Sequence, residues 1–230
     1  MRRRATPRDV LRDNSLTLTF VLLFVVAALV QAVSGWHVFD DDQRAHGEQA
    51  YSLGRYVLSS DFGSDLMNNW QSEFLQFASF IALSIWLRQR GSTESREVGE
   101  PPAGSEEEQK VGPYADRDSP LWARMGGWRR AAYANSLLGV MVALWIGSWA
   151  AGSVTSWTHF NDQQREHHRG RVSYAGYLGS ADFWNLTTQN WQSEFMSVAS
   201  ISVFSVFLRQ RGSAQSKPVG ERHEATGVSN

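Results

Sequence analysis

The chain has 230 residues, a formal net charge of −1 and no cysteine, which excludes disulfides, thiolate metal sites and thiol chemistry and leaves no basic footprint for nucleic acid. Its mean hydropathy of −0.35 is that of a soluble protein, but the average conceals apolar blocks separated by very polar stretches. The blocks predict an all-α membrane protein, with four transmembrane helices from two parallel tandem repeats of a two-helix hairpin and partly helical outer loops.

In chain order, residues 1–13 form a basic N-terminal segment. Asn14 to Trp36 carries no charge, and at about 1.5 Å per residue such a run crosses a hydrocarbon core of about 30 Å. This predicts a first span over residues 15–36. A second, shorter span is expected over 70–88, completing a first repeat over 14–92. Residues 93–120, with Gly99-Glu100-Pro101-Pro102 and Glu106-Glu107-Glu108, read as a flexible acidic linker. Residues 121–133 mix aromatic and basic side chains, as a segment lying on the inner leaflet does. Spans over 135–157 and 191–209 then build a second repeat over 134–213, followed by a disordered tail over 214–230.

The duplication rests on a shift of 121 residues, which aligns Asn14–Glu100 with Asn135–Glu221 without a gap, at roughly two identical positions in five. The strongest blocks are Asn69-Trp70-Gln71-Ser72-Glu73-Phe74 against Asn190-Trp191-Gln192-Ser193-Glu194-Phe195, and Leu87-Arg88-Gln89-Arg90-Gly91-Ser92 against Leu208-Arg209-Gln210-Arg211-Gly212-Ser213.

Charge placement gives the orientation. With four crossings, 17 of the 22 Lys and Arg residues fall on the side of the termini and the linker, so the positive-inside bias puts both termini in the cytoplasm. Trp36, Trp70, Trp157 and Trp191 then sit at the outer interface as anchors. Arg88, Arg90, Arg209 and Arg211, with Gly91 and Gly212 behind them, read as stop-transfer charges and helix C-caps at the inner one.

An aromatic-ended span, an Asp-x-Gln-Arg-x-His loop, Asn-Trp-Gln-Ser-Glu-Phe and a span ending in Gln-Arg-Gly-Ser together resemble a bacterial domain-of-unknown-function family of integral membrane proteins. The resemblance covers both repeats. It implies a multi-pass protein of the bacterial cytoplasmic membrane and brings no known activity. The loops depart from one another at Ala45-His46-Gly47 and Glu166-His167-His168.

Two groups of side chains carry candidate chemistry. Glu73 and Glu194 are the only charges within the second and fourth spans, and an ionisable residue at membrane depth is a candidate ion or proton site. The bland alternative is an acid in the first turn of a helix capped by Asn69 or Asn190, within reach of Arg44 or Arg165. His46, His167, Asp41 and Asp162 supply nitrogen and oxygen ligands that suit a metal. Their spacing of five residues is off the helical face, and Asp41 and Asp162 are instead expected to cap short loop helices. Phosphate-binding glycine loops, His-Glu-x-x-His and Gly-x-Ser-x-Gly are missing from the sequence. The sequence therefore indicates no catalytic residue, cofactor or nucleotide. It points to a non-catalytic assembly, interaction or envelope component whose partners are the lipid bilayer and either another membrane protein or a second copy of itself. A small transporter or ion pathway through Glu73 and Glu194 is the alternative, and an outer-face metal-binding protein or enzyme a second one.

Overall fold

A computed structural model describes residues 6–229, and among them every regular element is helical. The order is α1 (Pro7–Asp13), α2 (Ser15–Ala45), α3 (Leu53–Val57), α4 (Ser60–Trp86), a 3-10 turn (Gly112–Tyr114), α5 (Leu121–Arg124), α6 (Gly127–Ala134), α7 (Ser136–Glu166), α8 (Tyr174–Leu178) and α9 (Ala181–Phe207). The chain divides into two compact units after Ser64, inside α4.

Two helices, α2 and α7, are long and apolar enough to cross a membrane. Each has 31 residues and so runs for about 46 Å. Both outlast the expected spans by nine residues, because Asp40-Asp41-Asp42-Gln43-Arg44 and its counterpart continue the helix as a polar extension. The second helices differ from expectation in the opposite sense. α4 and α9 have 27 residues each and start ten residues before Trp70 and Trp191. The start signal is serine: Ser180 caps α9 through a bond from the Phe183 amide at 3.2 Å, and Ser59 receives the Phe62 amide at 3.4 Å. Asn69 and Asn190 are therefore interior residues rather than N-caps. Their amides donate one turn back, to the Asp65 and Leu186 carbonyls at 2.9 and 2.8 Å.

The hairpin tips have the same construction in each unit. In the first, Ser52 caps α3, the Trp36 indole donates to the Tyr51 carbonyl at 2.6 Å, and buried Tyr56 stacks between Phe39 and Phe62. In the second, Ser173 caps α8, Trp157 donates to the Val172 carbonyl at 2.9 Å, and buried Tyr177 lies between Phe160 and Phe183. Serine, not aspartate, caps these loop helices; Asp41 and Asp162 lie in the last turns of α2 and α7.

Burial is inverted relative to a soluble domain. Among the described residues eight buried side chains are apolar and seventeen are polar or charged, while Phe20, Leu22, Leu29, Val30, Leu137 and Ile146 are more than half exposed. Water does not reward that arrangement; a hydrocarbon surround does, with polar groups turned inward where they find hydrogen bonds.

The segments after α4 and α9 also fold alike. Arg88 turns back to donate to the Ser84 and Ile85 carbonyls at 3.0 and 2.9 Å, and Arg209 to those of Ser205 and Val206 at 3.4 and 3.0 Å, which satisfies the orphan carbonyls of both helix ends. Gly91 and Gly212, with φ of +83° and +81°, form the turn beyond the cap rather than the cap itself. Arg90 and Arg211 point outward. Residues 214–229, assigned to a disordered tail on composition, hold the buried side chains of Ser216, Lys217 and Thr226. Repeated serines supply the order: the Gln89 amide donates to Ser95 Oγ at 2.9 Å and the Gln210 amide to Ser216 Oγ at 2.8 Å. Between these segments, α5 and α6 occupy the expected interfacial stretch, split at Met125-Gly126, with Trp128 exposed.

Candidate functional site

The polar interior of the second unit is built where α4 meets α7 and α9. Gly152 on α7 admits the backbone of α4 so closely that a Cβ there would stand 3.2 Å from Met67 Cβ. One turn on, Asn68 Nδ2 donates to Ser156 Oγ at 2.8 Å, and Ser156 in turn bonds the Tyr177 hydroxyl. Burial pushes the Tyr177 phenol up from its usual pKa, with Asp182 adding to the rise and Ser156 opposing it. On the other side, Trp191 Nε1 donates to Gln71 Oε1 at 2.8 Å. Gln71 is wholly buried, and its Nε2 has no partner among the described residues, nor do Trp145 Nε1 and Trp149 Nε1 on α7.

Glu73 lies two residues after Gln71 and Glu194 three after Trp191. Glu73 is exposed on α4 and Glu194 half-buried on α9, and the two carboxylates lie within Coulombic range of one another. The structure thus leaves the two candidate carboxylates close enough to repel one another. Of the arginines expected beside them, Arg44 is held within the first unit by buried Asp40 at 2.7 Å, and Arg165 within the second by Asp162 at 3.4 Å.

The candidate metal ligands do not converge. His46 Nδ1 faces the Asp42 carbonyl at 2.9 Å, Asp41 is exposed beside it, and His167 is the exposed C-cap of α7. Among the described residues no three His, Asp or Glu side chains form a group able to hold a metal ion.

Of the four tryptophan anchors, Trp36 and Trp157 bind loop carbonyls, Trp191 turns into the seam and Trp70 is half-buried. A hollow of 1420 Å³ lies between the acidic linker and the tail. Its cations are already matched: Arg96 with Glu100 at 3.0 Å, Arg130 with Glu106 at 3.0 Å and Lys110 with Asp116 at 3.3 Å.

Lys217 escaped the sequence reading. The signal was available, since the 121-residue alignment runs past the helix ends to Val98-Gly99-Glu100 and Val219-Gly220-Glu221, and a spacer with no structure has no reason to keep its serines in register.

Residues 7–228 match the family described as a domain of unknown function, DUF6766, and the chain belongs to that family. No curated protein and no solved structure matches it.

Proposed function

We propose that this DUF6766 member is a non-catalytic component of the bacterial cytoplasmic membrane that acts by assembly, docking a partner helix against Glu73 and Glu194. In this reading α4 and α9 also cross the bilayer, giving four spans in two parallel copies with both termini and the linker in the cytoplasm. The equivalent caps, tryptophan bonds and arginine-closed helix ends of the two copies support it, as does the excess of Lys and Arg on one side.

The observation that carries the assembly reading is the exposure of Glu73 beside Glu194, two like charges on an apolar exterior. Lipid tails cannot solvate a carboxylate, and membrane-embedded acids face a bundle interior, water or a partner. A second copy of the chain would bring four carboxylates together. A helix of another protein with a Lys, Arg or amide at that depth neutralises them instead. With a single cysteine at Phe77, half exposed one turn from Glu73, crosslinking in intact membranes is expected to yield one heterologous adduct that Glu73→Gln with Glu194→Gln abolishes while the protein stays abundant. A homodimer adduct, or an adduct indifferent to the double substitution, refutes this docking.

A second reading is favoured by the buried unpartnered N–H groups of Gln71, Trp145 and Trp149, which internal water would satisfy. A hydrated seam leading to the carboxylates is a proton or cation pathway. It requires flux in proteoliposomes that the same double variant loses.

A further inference from the structure

The inner ends of α4 and α9 are joined by the tail. Lys217 follows α9 by ten residues, yet its side chain is fully buried. Its ammonium donates to three backbone carbonyls: Gly91 in the turn after α4 at 2.6 Å, and His223 and Ala225 in the tail at 2.7 and 3.2 Å. Two backbone-directed bonds flank this cage. The Gly91 amide donates to Thr226 Oγ1 at 2.9 Å, and the Gly227 amide to the Ser92 carbonyl at 3.0 Å. Ser92 Oγ lies 3.4 Å from Ser205 Oγ on α9. Glycine is required at position 91, because a Cβ would overlap the His223 carbonyl.

The arrangement is specific to one copy. Arg96 occupies the position of Lys217 in the first repeat and holds the same local turn, but its guanidinium reaches outward to Glu100 and Glu108 at 3.0 and 3.4 Å. Nothing lies within 4 Å of a Cβ built on Gly212, the counterpart of Gly91. The tail of copy two therefore docks on the turn of copy one, whereas the space beside Gly212 is open among the described residues. An ammonium is expensive to bury, and three carbonyl oxygens facing one point are expensive to leave without a donor. Together they define one docked position for the strand that carries them.

We propose that residues 216–227 are a strap, pinned by Lys217 in the Gly91 turn, that locks the inner end of α4 to the inner end of α9. The lock complements the Trp191–Gln71 bond further along the same two helices, so relative motion of α4 and α9 requires the pin to leave its cage. The strap also lines the inner hollow through Thr226 and Gly227.

Hydrogen exchange on the full chain in detergent micelles tests this. Lys217→Met keeps the length and apolar stem but removes the three donated bonds. Exchange in peptides covering 88–95 and 216–228 is expected to accelerate about tenfold or more, with α7 and α9 peptides unchanged. Unchanged strap exchange overturns the proposal; so does a uniform rise that includes α7, which makes Lys217 an ordinary core residue. If Lys217→Met does not accumulate, Thr226→Val decides by the same criterion, since it removes the acceptor of the Gly91 amide together with a bond to the Glu224 carbonyl at 3.2 Å inside the strap. A disulfide between cysteines at Thr93 and Gln215, where Thr93 Oγ1 meets the Gln215 carbonyl at 3.4 Å, is expected to restore slow exchange in the Lys217→Met background. Failure to restore it also counts against the strap.

Discussion

The Trp191–Gln71 pair makes an asymmetric prediction. Gln71 is wholly buried, accepts one bond from Trp191 Nε1 at 2.8 Å and leaves its Nε2 without a partner. Trp191→Phe keeps an aromatic ring but strips the amide of that bond. An unsatisfied buried polar group costs about 1–3 kcal/mol, and interhelical bonds in membranes average about 0.6 kcal/mol with a maximum near 1.7. A loss of about 1–2 kcal/mol follows, roughly a tenfold shift in the folding equilibrium. Gln71→Met removes the same bond, yet it also removes the orphan Nε2, so the indole N–H is the sole new deficit and the net cost is expected below about 0.5 kcal/mol. The double variant then lies close to Gln71→Met alone, giving a coupling of about 1 kcal/mol. Reversible unfolding of the purified protein in mixed micelles of rising sodium dodecyl sulfate, followed by tryptophan emission, measures all four states of the cycle. Additive effects, or Gln71→Met costing more than Trp191→Phe, refute the claim that this amide is half-satisfied and sustained by the indole.

Three further outcomes are expected. Gly35 faces the Tyr56 hydroxyl so closely that a Cβ overlaps it; Gly35→Ala should cost about 1–3 kcal/mol by overpacking, and Tyr56→Phe should recover most of it in the same micelle unfolding assay. Burial, assisted by Arg209 and opposed by Glu221, lowers the Lys217 pKa from the ordinary 10.5. A lowered folded-state value means that the charged form is disfavoured on docking, so stability is lowest below the folded pKa and rises as pH climbs toward 10.5. The unfolding midpoint of the wild type relative to Lys217→Met should therefore increase as pH climbs toward 10.5, and a decrease contradicts the burial of the charge. Finally, single cysteines at Gln49 and Glu107 report topology in this cysteine-free chain: an impermeant maleimide should label the first in intact cells and the second only after lysis, and the reverse pattern excludes the orientation.

What the sequence revealed and concealed divides along physical lines. Uncharged runs were legible because crossing a bilayer demands length and apolar composition, and α2 and α7 stand out as long and apolar enough to do so. The second helices were harder because their apolar stretch is shorter than the helix: α4 and α9 begin at Ser-x-Asp sequences, Ser59-Ser60-Asp61 and Ser180-Ala181-Asp182, about ten residues before the apolar block, where capping rather than hydropathy sets the boundary. The carboxylates were found as isolated charges in an apolar context, which is a one-dimensional signal. Gln71 and Lys217 were not singled out. Gln71 sits in the most similar block of the repeat but looks like any polar residue at a helix entrance, and its burial depends on Trp191, 120 residues away. Lys217 lies in a stretch too polar to form a core. Its burial comes instead from backbone carbonyls of the Gly91 turn and of His223 and Ala225 in the tail, and backbone acceptors leave no trace in composition. In an inverted protein the exterior is therefore read from hydropathy, whereas the interior has to be read from pairing: a buried polar residue becomes visible only through the partner that keeps it there. The copy-to-copy alignment is the one sequence record of such pairing here. Its sharpest departure at the turns after α4 and α9, Arg96 against Lys217, marks the place where two otherwise equivalent segments carry different loads, one half-buried among glutamates and the other closed over a buried charge.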